Sequence, residues 1–249
     1  MRLPLPFASL LLATALPVAH AQSLADTCHA TSSYDLTVSP QSVLFDRPAP
    51  LPRRVELHDG TLRADGAAVR LSLEDQDRLA LFERDLRALL PRVRTVARNG
   101  VDLAVRAVRD EAAGMRLGSA TQAELTRRLA ARADELKQRI DRSNSTHDWQ
   151  GDAMDQYANQ IAAEIGPLVA ADLGQQAVDA AMSGDLQAAA SLRDQAGDLA
   201  SNLRPRLEQR MQALRPQIQA RCPAIRQLAE LQHGIEANGH PLDLLQTTR

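Results

Sequence analysis

Apolar residues recur every three or four positions from residue 73 to residue 113, a spacing that is typical of an amphipathic helix. A helix with 3.6 residues per turn places such residues on one side, where partner helices can bury them. At 1.5 Å per residue this helix would be roughly 60 Å long, which predicts an elongated bundle. Gly100 takes the one position of the stripe that lacks an apolar side chain. The other members of the stripe are Leu79, Phe82, Leu86, Leu89, Val93, Val96 and Leu103.

Three further segments have the same helical period. The first begins with Thr121 and Glu124, which match the pattern of a capping box. The second covers residues 149–181, and the third covers residues 186–231. Proline inside a helix removes a backbone hydrogen bond, so we expect helices that are kinked or broken at their prolines. These prolines are Pro91, Pro167, Pro205, Pro216 and Pro223.

Between residues 34 and 72 the apolar period changes to two, which is typical of strands with one buried face. The pairs Asp59-Gly60 and Asp65-Gly66 separate short alternating runs and predict tight hairpin turns. We therefore expect an antiparallel sheet of three to five strands. So small a sheet is marginal alone, and one face should pack on the helices. Ser72, followed by acidic residues, is placed to cap the first long helix.

The expected fold class is α+β, mainly α, with a small N-terminal antiparallel sheet followed by an elongated bundle of long amphipathic, proline-kinked helices. The predicted organisation is a signal peptide at residues 1–21, a β region at residues 22–72, a helical bundle at residues 73–233 and a flexible tail at residues 234–249. The tail is interpreted as frayed because glycine and proline interrupt a short terminal stretch.

The first residues have the pattern of a cleavable leader. Arg2 precedes an apolar run at residues 3–18, and an A-x-A cleavage site ends at Ala21. The run is too short and too interrupted to span a membrane, and no later stretch qualifies. We therefore expect cleavage after Ala21 and an exported protein without a transmembrane segment. A lipoprotein anchored through Cys28 is disfavoured, because Thr27 stands where lipid attachment needs a small residue.

Two cysteines, Cys28 and Cys222, remain after the leader. An even number of cysteines in an oxidising compartment favours a structural disulfide. The alternative is a reactive thiol pair, which would usually show a C-x-x-C spacing. We favour the disulfide, which would fasten the first mature segment to the last helix.

The order of these features resembles the YggN-like family of bacterial exported proteins. The matching residues are an early cysteine, the run Val38-Ser39-Pro40-Gln41-Ser42-Val43, a pair of strands joined by a DG turn, the run at residues 73–92 with its Leu89-Leu90-Pro91 ending, and the late Cys222. The resemblance implies a periplasmic location and supports the Cys28–Cys222 bridge. It supplies no catalytic residue, cofactor or substrate.

Composition narrows the classes of function. Aromatic residues make up only 2% of the chain, and the formal net charge is −2. Sugar clefts and single-stranded nucleic-acid platforms stack their ligands on aromatic faces, and nucleic-acid binding also needs positive charge. We therefore expect no nucleic-acid partner.

His147, Asp148, Asp152 and Asp155 are the one group with the composition of a cation site. Three carboxylates and an imidazole could hold a divalent cation. The other interpretation is that acidic residues favour the positive end of a helix and are solvated there, and we prefer it. Catalytic motifs such as G-x-S-x-G or a phosphate loop do not occur, so we expect neither an enzyme nor a cofactor.

Acidic residues on the helix faces stand four positions before arginines, Glu83 before Arg87 and Asp102 before Arg106, which predicts exposed ion pairs. Charge also alternates between the helical segments. The first two segments and the last are rich in arginine, whereas residues 149–181 contain acidic residues and neither lysine nor arginine. Such alternation brings neighbouring helices together in a defined register. The alternative is a basic face that binds anionic lipid headgroups or cell-wall polymers.

These observations predict a non-enzymatic envelope interaction or scaffold module, which holds a protein partner or a second copy of itself through its helices. A binding module for anionic envelope components is the second interpretation. Contact with a membrane surface belongs to that interpretation and is not favoured. An uncharacterised hydrolase is the third.

Overall fold

A computed structural model describes residues 27–149 and 152–247 of the chain. The fold is α+β and mainly helical, with a small antiparallel sheet followed by long helices, as the sequence predicts. The predicted signal peptide at residues 1–21 lies outside the described residues. Among the helices that the structure describes, none is long and apolar enough to cross a bilayer.

The N-terminal region forms an antiparallel meander in which each strand pairs with the next along the chain. A short strand, β1 (Ala30–Thr31), precedes it. The five strands of the meander are β2 (Asp35–Val38), β3 (Val43–Asp46), β4 (Arg54–His58), β5 (Thr61–Ala64) and β6 (Ala67–Ala68).

Both predicted Asp-Gly turns are present. Asp59 and Gly60 have φ angles of 46° and 77°, and Asp65 and Gly66 have 50° and 84°. Two successive positive φ values are the geometry of the two-residue turn whose twist matches that of paired strands. Gly60 is also needed for close packing, since a Cβ there would lie 2.5 Å from the Gln76 carbonyl oxygen.

The inner face of the sheet packs on the first long helix, α1 (Leu73–Gly114). Leu79 and Phe82 of α1 are almost fully buried against it. The Phe82 ring lies 6.1 Å from the Phe45 ring, measured between centroids. The buried residues of the inner face are Val43, Phe45, Val55, Leu57, Leu62 and Ala64. The expectation that one face packs on the helices is confirmed.

The helix α1 has 42 residues, and it begins where the sequence predicts. The Ser72 hydroxyl accepts a hydrogen bond from the Asp75 backbone N–H at 3.1 Å, which satisfies one of the free amides of the first turn. Pro91 lies inside the helix, which continues through it to Gly114.

The apolar stripe of α1 is confirmed in its first half and changes in its second. Leu79, Phe82 and Leu89 are buried, but Val93 is 44% exposed. Beyond Pro91 the buried residues are Gly100, Val101, Ala107 and Ala112. The buried side changes because α1 leaves the sheet at this level and packs on other helices.

The second half of α1 belongs to an antiparallel four-helix bundle. It is followed by α2 (Ser119–Arg142), α3 (Asp152–Met182) and α4 (Leu186–Met211). The helix α1 contacts α2 and α4, and α3 contacts the same two helices, so the four close a ring. Its core contains Ala112, Leu117, Leu125, Leu129, Val169 and Leu173 in one cluster and Val101, Ala133 and Ile140 in another.

The last predicted helix is broken, as its prolines suggest. A 3-10 turn (Gln212–Leu214) and a short helix α5 (Arg215–Gln219) separate α4 from α6 (Cys222–Gln232). Pro216 and Pro223 lie in the first turns of α5 and α6, where proline costs no helical hydrogen bond. Pro205, in contrast, lies inside α4.

The predicted capping box at Thr121 and Glu124 is wrong. The helix α2 already begins at Ser119, with Gly118 at the cap position and no side-chain cap. The Thr121 hydroxyl donates instead to the Asp172 carboxylate of α3 at 2.8 Å. A contact between helices has replaced the local one that the sequence pattern suggests.

The tail from Gly234 is not frayed over its described residues. It forms a hairpin of β7 (Glu236–Ala237) and β8 (His240–Pro241), and then β9 (Gln246–Thr247), which pairs with β1. The side chains that explain this packing are the buried Ile235, Ala237, Leu242 and Leu244. The hairpin turn is Asn238-Gly239, with φ angles of 54° and 79°, and this Asn-Gly pair is a sequence signal for a hairpin.

Candidate interaction surfaces

The predicted disulfide between Cys28 and Cys222 is present. The two sulfur atoms are 2.01 Å apart, and the two Cα atoms are 5.1 Å apart. Both residues are buried in the core that the sheet, α1 and α6 share. The bridge joins the chain just before β1 to the start of α6. We call this end of the molecule, which contains the sheet, the first half of α1, α6 and the tail, the base. Because both sulfurs are bonded, the free reactive thiol pair is not formed.

A buried ion pair connects α1 to two turns of the sheet. Glu83 is 5% exposed, and its carboxylate lies 2.6 Å from the Arg87 guanidinium. Glu83 also accepts the Asp59 backbone N–H at 2.9 Å, and Arg87 donates to the Ser39 carbonyl at 2.5 Å. The sequence predicts an exposed pair here from its four-residue spacing; the burial and the backbone contacts make it a structural junction.

Most interhelical contacts of the arginines are made with acidic residues. Arg132 of α2 lies 2.7 Å from Glu164 of α3, and Arg210 of α4 lies 2.6 Å from Asp110 of α1. Arg206 of α4 pairs with Glu111 of α1. The Arg132–Glu164 contact joins an arginine-rich helix to the acidic α3, as alternating charge predicts. The other two contacts join α4 to α1, which are both rich in arginine, so acidic residues within the basic segments also hold helices together.

Some charged side chains of α1 contact residues other than the partners that the sequence predicts. The sequence pairs Asp102 with Arg106, but Asp102 lies 2.5 Å from Lys137 of α2. Within α2, Glu124 receives hydrogen bonds from Arg127 and Arg128, each at 2.6 Å. The hydrogen bonds from these two guanidinium groups lower the pKa of Glu124 to about 2.

Asp172 of α3 closes the turn between α1 and α2. Its carboxylate accepts the Gly118 backbone N–H at 3.0 Å, the Thr121 hydroxyl at 2.8 Å and the Gln176 amide at 2.7 Å. The Gly118 N–H is the largest cause that lowers the pKa of Asp172 from its ordinary value. This contact places Asp172 at the level where α1 ends and α2 begins.

The candidate cation ligands are not brought together where they are described. The His147 Nδ1 atom lies 3.7 Å from the Asp35 carboxylate, whereas the Asp148 carboxylate accepts from the Ser143 hydroxyl at 2.9 Å. The side chains of Asp152 and Asp155 lie outside the described residues. Within the described part of the chain, no three ligating side chains form a group that could hold a metal ion.

The segment that carries His147 connects the bundle to the edge of the sheet. The Val38 backbone N–H donates to the Asn144 carbonyl at 2.8 Å, and the Leu36 N–H donates to the Thr146 hydroxyl at 2.9 Å. Unpaired edge strands favour aggregation, and covering them prevents it. The polar residues of this segment therefore have a structural role at strand β2.

Two of the grooves on the described surface lie along the bundle, and both are open to solvent. One, of about 580 Å³, lies between α1 and α4; its residues are Leu103, Glu111, Arg206, Gln209, Arg210 and Ala213. The other, of about 420 Å³, lies at the end of α2; its residues are Glu135, Gln138, Arg139, Arg142, Ser143 and Asp148. In the first groove Glu111, Arg206 and Arg210 take part in ion pairs. In the second, the Ser143 hydroxyl donates to the Asp148 carboxylate.

The end of the α3–α4 hairpin exposes three large apolar side chains. From Asp172, level with the α1–α2 turn, α3 continues for ten residues to Met182, which is roughly 15 Å. Met182 is 84% exposed, Leu186 is 71% exposed and Val178 is 52% exposed. We call these three residues the hairpin tip. Large apolar side chains exposed together often indicate an interaction site.

The exposure of the hairpin tip does not follow from the sequence pattern. Val178 and Met182 continue the apolar spacing of α3, and Leu186 begins the spacing of α4, so the pattern predicts burial. The sequence signal that could have indicated exposure is the polar turn Ser183-Gly184-Asp185 between the two helices. In the structure, α1 and α2 do not extend as far as this turn. Gly184 there has a φ of 85°, which permits the tight reversal.

Residues 28–244 match the family described as Protein of unknown function (DUF2884), and the chain belongs to this family. The matched range includes both cysteines, the sheet, the bundle and the buried part of the tail. No curated protein and no solved structure matches the chain.

Proposed function

We propose that this chain is a YggN-like periplasmic protein and that it acts as a non-enzymatic interaction or scaffold module of the bacterial envelope. The leader pattern at residues 1–21 supports export, with cleavage after Ala21. The Cys28–Cys222 disulfide supports it too, because such bonds persist in oxidising compartments.

The hairpin tip is the observation that carries the interaction role. The disulfide, the buried Glu83–Arg87 pair and the packed tail make the base rigid. The tip projects from the opposite end of the bundle and presents apolar side chains to solvent. A rigid support with a projecting apolar end is suited to holding a partner and does not require a catalytic cleft.

Binding of anionic envelope components is the second candidate. Its support is a set of exposed arginines, such as Arg92 and Arg109, for which no acidic partner is found among the described residues. The interhelical ion pairs reduce this support, because Arg132, Arg206 and Arg210 already contact acidic residues. An uncharacterised hydrolase ranks third.

The experiment that tests the interaction role is crosslinking in the living cell. A photo-reactive amino acid would replace Met182 in one variant of the exported protein and Leu186 in a second. In a control variant it would replace Thr61, an exposed residue of β5. We expect a discrete crosslinked product from position 182 and none from position 61. If positions 182 and 186 both give only uncrosslinked protein, the interaction role of the tip is wrong.

A further inference from the structure

The hairpin tip combines apolar side chains with negative charge. Asp179 follows Val178 and Asp185 precedes Leu186, so one carboxylate lies on each side of Met182 along the chain. Asp179 accepts from Gln175, and Asp185 caps α4 by accepting the Ala188 N–H at 2.9 Å. Neither has a cationic partner in the described part of the chain, and residues 143–192 contain no lysine or arginine.

This composition determines what can cover the tip. An anionic membrane surface would repel the two carboxylates, because its potential is negative. The complementary partner has apolar side chains flanked by positive charge. The chain itself has such a surface on the first half of α1.

The complementary surface, which we call the α1 basic stripe, consists of Leu81, Arg84, Ala88 and Arg92, with Val93 beside it. The first four residues are spaced by three or four positions, so they lie on one side of the helix. The exposed Asp77 stands one turn before Leu81 on the same side, so the positive charge of the stripe is confined to its part from Arg84 to Arg92. Leu81 is 38% exposed and Val93 is 44% exposed. Arg84 contacts Asp85, yet its side chain is 68% exposed, and Arg92 has no acidic partner among the described residues.

We propose that the hairpin tip of one copy docks on the α1 basic stripe of a second copy. This inference rests on the proposed interaction function and names the partner of the tip. The tip and the stripe of one copy cannot meet, because about 33 residues of α1, roughly 50 Å, separate Leu81 from the end of that helix. The contact is therefore formed between molecules.

Such a contact joins two different surfaces. Each copy has both a free tip and a free stripe, so the contact extends into chains or closes into a ring. The patch is small compared with the roughly 1,200–2,000 Å² buried in stable interfaces. The association should therefore be weak and dependent on concentration, and salt should weaken it because the flanking charges are exposed.

The test uses the purified mature protein and measures its mass by sedimentation over a range of concentrations, at low and high salt. We expect the mass to rise with concentration at low salt. Met182→Ser combined with Leu186→Ser, Asp179→Lys alone and Arg92→Glu alone should each weaken association at least tenfold. All these positions are exposed, and unchanged circular dichroism and thermal melting would verify folding.

Arg109→Glu is the matched control. It makes the same charge change on the same helix, 17 residues from Arg92, or roughly 26 Å, and we expect it to associate as the wild type does. A mixture of Asp179→Lys and Arg92→Glu proteins should associate again. Its wild-type tips can dock on wild-type stripes, and the substituted tip and stripe are also complementary.

Any of these sedimentation results would overturn the inference: a wild-type protein that stays monomeric at all concentrations, an Arg109→Glu variant as defective as Arg92→Glu, or a mixture that does not recover. If the purified protein is monomeric but Met182 crosslinks to another protein in cells, the tip binds a different partner. The interaction function would then stand without self-association. Binding of the purified protein to anionic vesicles through the tip would also overturn the inference.

Discussion

Glu83 illustrates how one residue can join three parts of a fold. Its carboxylate contacts the Arg87 side chain on its own helix and the Asp59 backbone in a hairpin turn, while Arg87 reaches the Ser39 carbonyl in another turn. Removing one member of a buried pair leaves the other group without its partner. The orientation of α1 on the sheet therefore depends on this pair.

We predict that Glu83→Ala lowers the free energy of unfolding by about 2 kcal/mol, because it leaves the Asp59 N–H and the partly buried Arg87 charge without their acceptor. Glu83→Gln keeps an acceptor and should cost less. Arg84→Gln, which affects an exposed pair, should cost at most about 0.5 kcal/mol. Urea unfolding measures all three, and equal losses for Glu83→Ala and Arg84→Gln would contradict the structural role.

At the scale of single helices, two glycines in similar helical positions differ in their surroundings. A Cβ on Gly100 of α1 would lie 3.2 Å from the Leu214 Cδ1 atom and 3.4 Å from the Met211 Cε atom. A Cβ on Gly174 of α3 would meet no atom within 4 Å. Gly100 thus allows α1 to approach the end of α4, which explains the gap in the apolar stripe.

We predict that Gly174→Ala raises the free energy of unfolding by about 0.5–1 kcal/mol, since alanine is the better helix former. Gly100→Ala should raise the free energy of unfolding by less than this. Gly100→Val should lower it by about 1–3 kcal/mol, because the larger side chain overpacks the contact with Leu214. The same denaturant unfolding would measure these variants. A Gly100→Val protein as stable as Gly174→Val would contradict the close approach.

The helix α2 offers a prediction about pH. The folded pKa of Glu124 is about 2, below its ordinary value of 4.5, because Arg127 and Arg128 donate to the carboxylate. A lowered folded pKa means that the ionised group stabilises the folded state above about pH 4.5. This contribution is lost as the pH falls from about 4.5 to about 2.

We therefore expect the stability difference between wild type and Glu124→Gln to shrink as the pH falls through this range. An NMR titration of the Glu124 side-chain carboxyl should have its midpoint near 2. High salt should reduce the shift, since the pair is exposed. A midpoint near 4.5 at low salt would show that the two arginines do not hold the carboxylate.

At the scale of the whole molecule, the two ends of the described chain are held together at the base. The disulfide connects residues that are 194 positions apart, and β9 pairs with β1. Gln232 of α6 adds a third link, because its amide oxygen accepts the Leu244 N–H at 2.7 Å. The base is therefore built from segments that are distant in sequence, whereas the bundle is built from neighbours.

We predict that replacing both Cys28 and Cys222 by alanine lowers the free energy of unfolding by about 5 kcal/mol, the value that chain entropy gives for a loop of this length. Guanidinium unfolding at neutral pH measures the change. Wild-type protein in a strong reductant is the control and should lose a similar amount. A loss below about 1 kcal/mol would mean that β1, β9 and the core hold the base without the bridge.

Several features were determined by short-range sequence patterns. The period of two over residues 34–72, the Asp-Gly pairs and the Ser72 cap predict elements that the structure contains. These features follow from local backbone preference and from which side chains avoid water. The Cys28–Cys222 disulfide was inferred from the even number of cysteines and from the oxidising compartment, and the structure contains it.

Other features were decided only by tertiary structure, because they depend on residues far away in the chain. The tail is ordered because Leu242 and Leu244 reach a core formed by the sheet and α6. Glu83 is buried because two turns supply its partners. Met182 and Leu186 have the spacing of buried residues, yet they are exposed because α3 and α4 extend beyond the helices that could cover them.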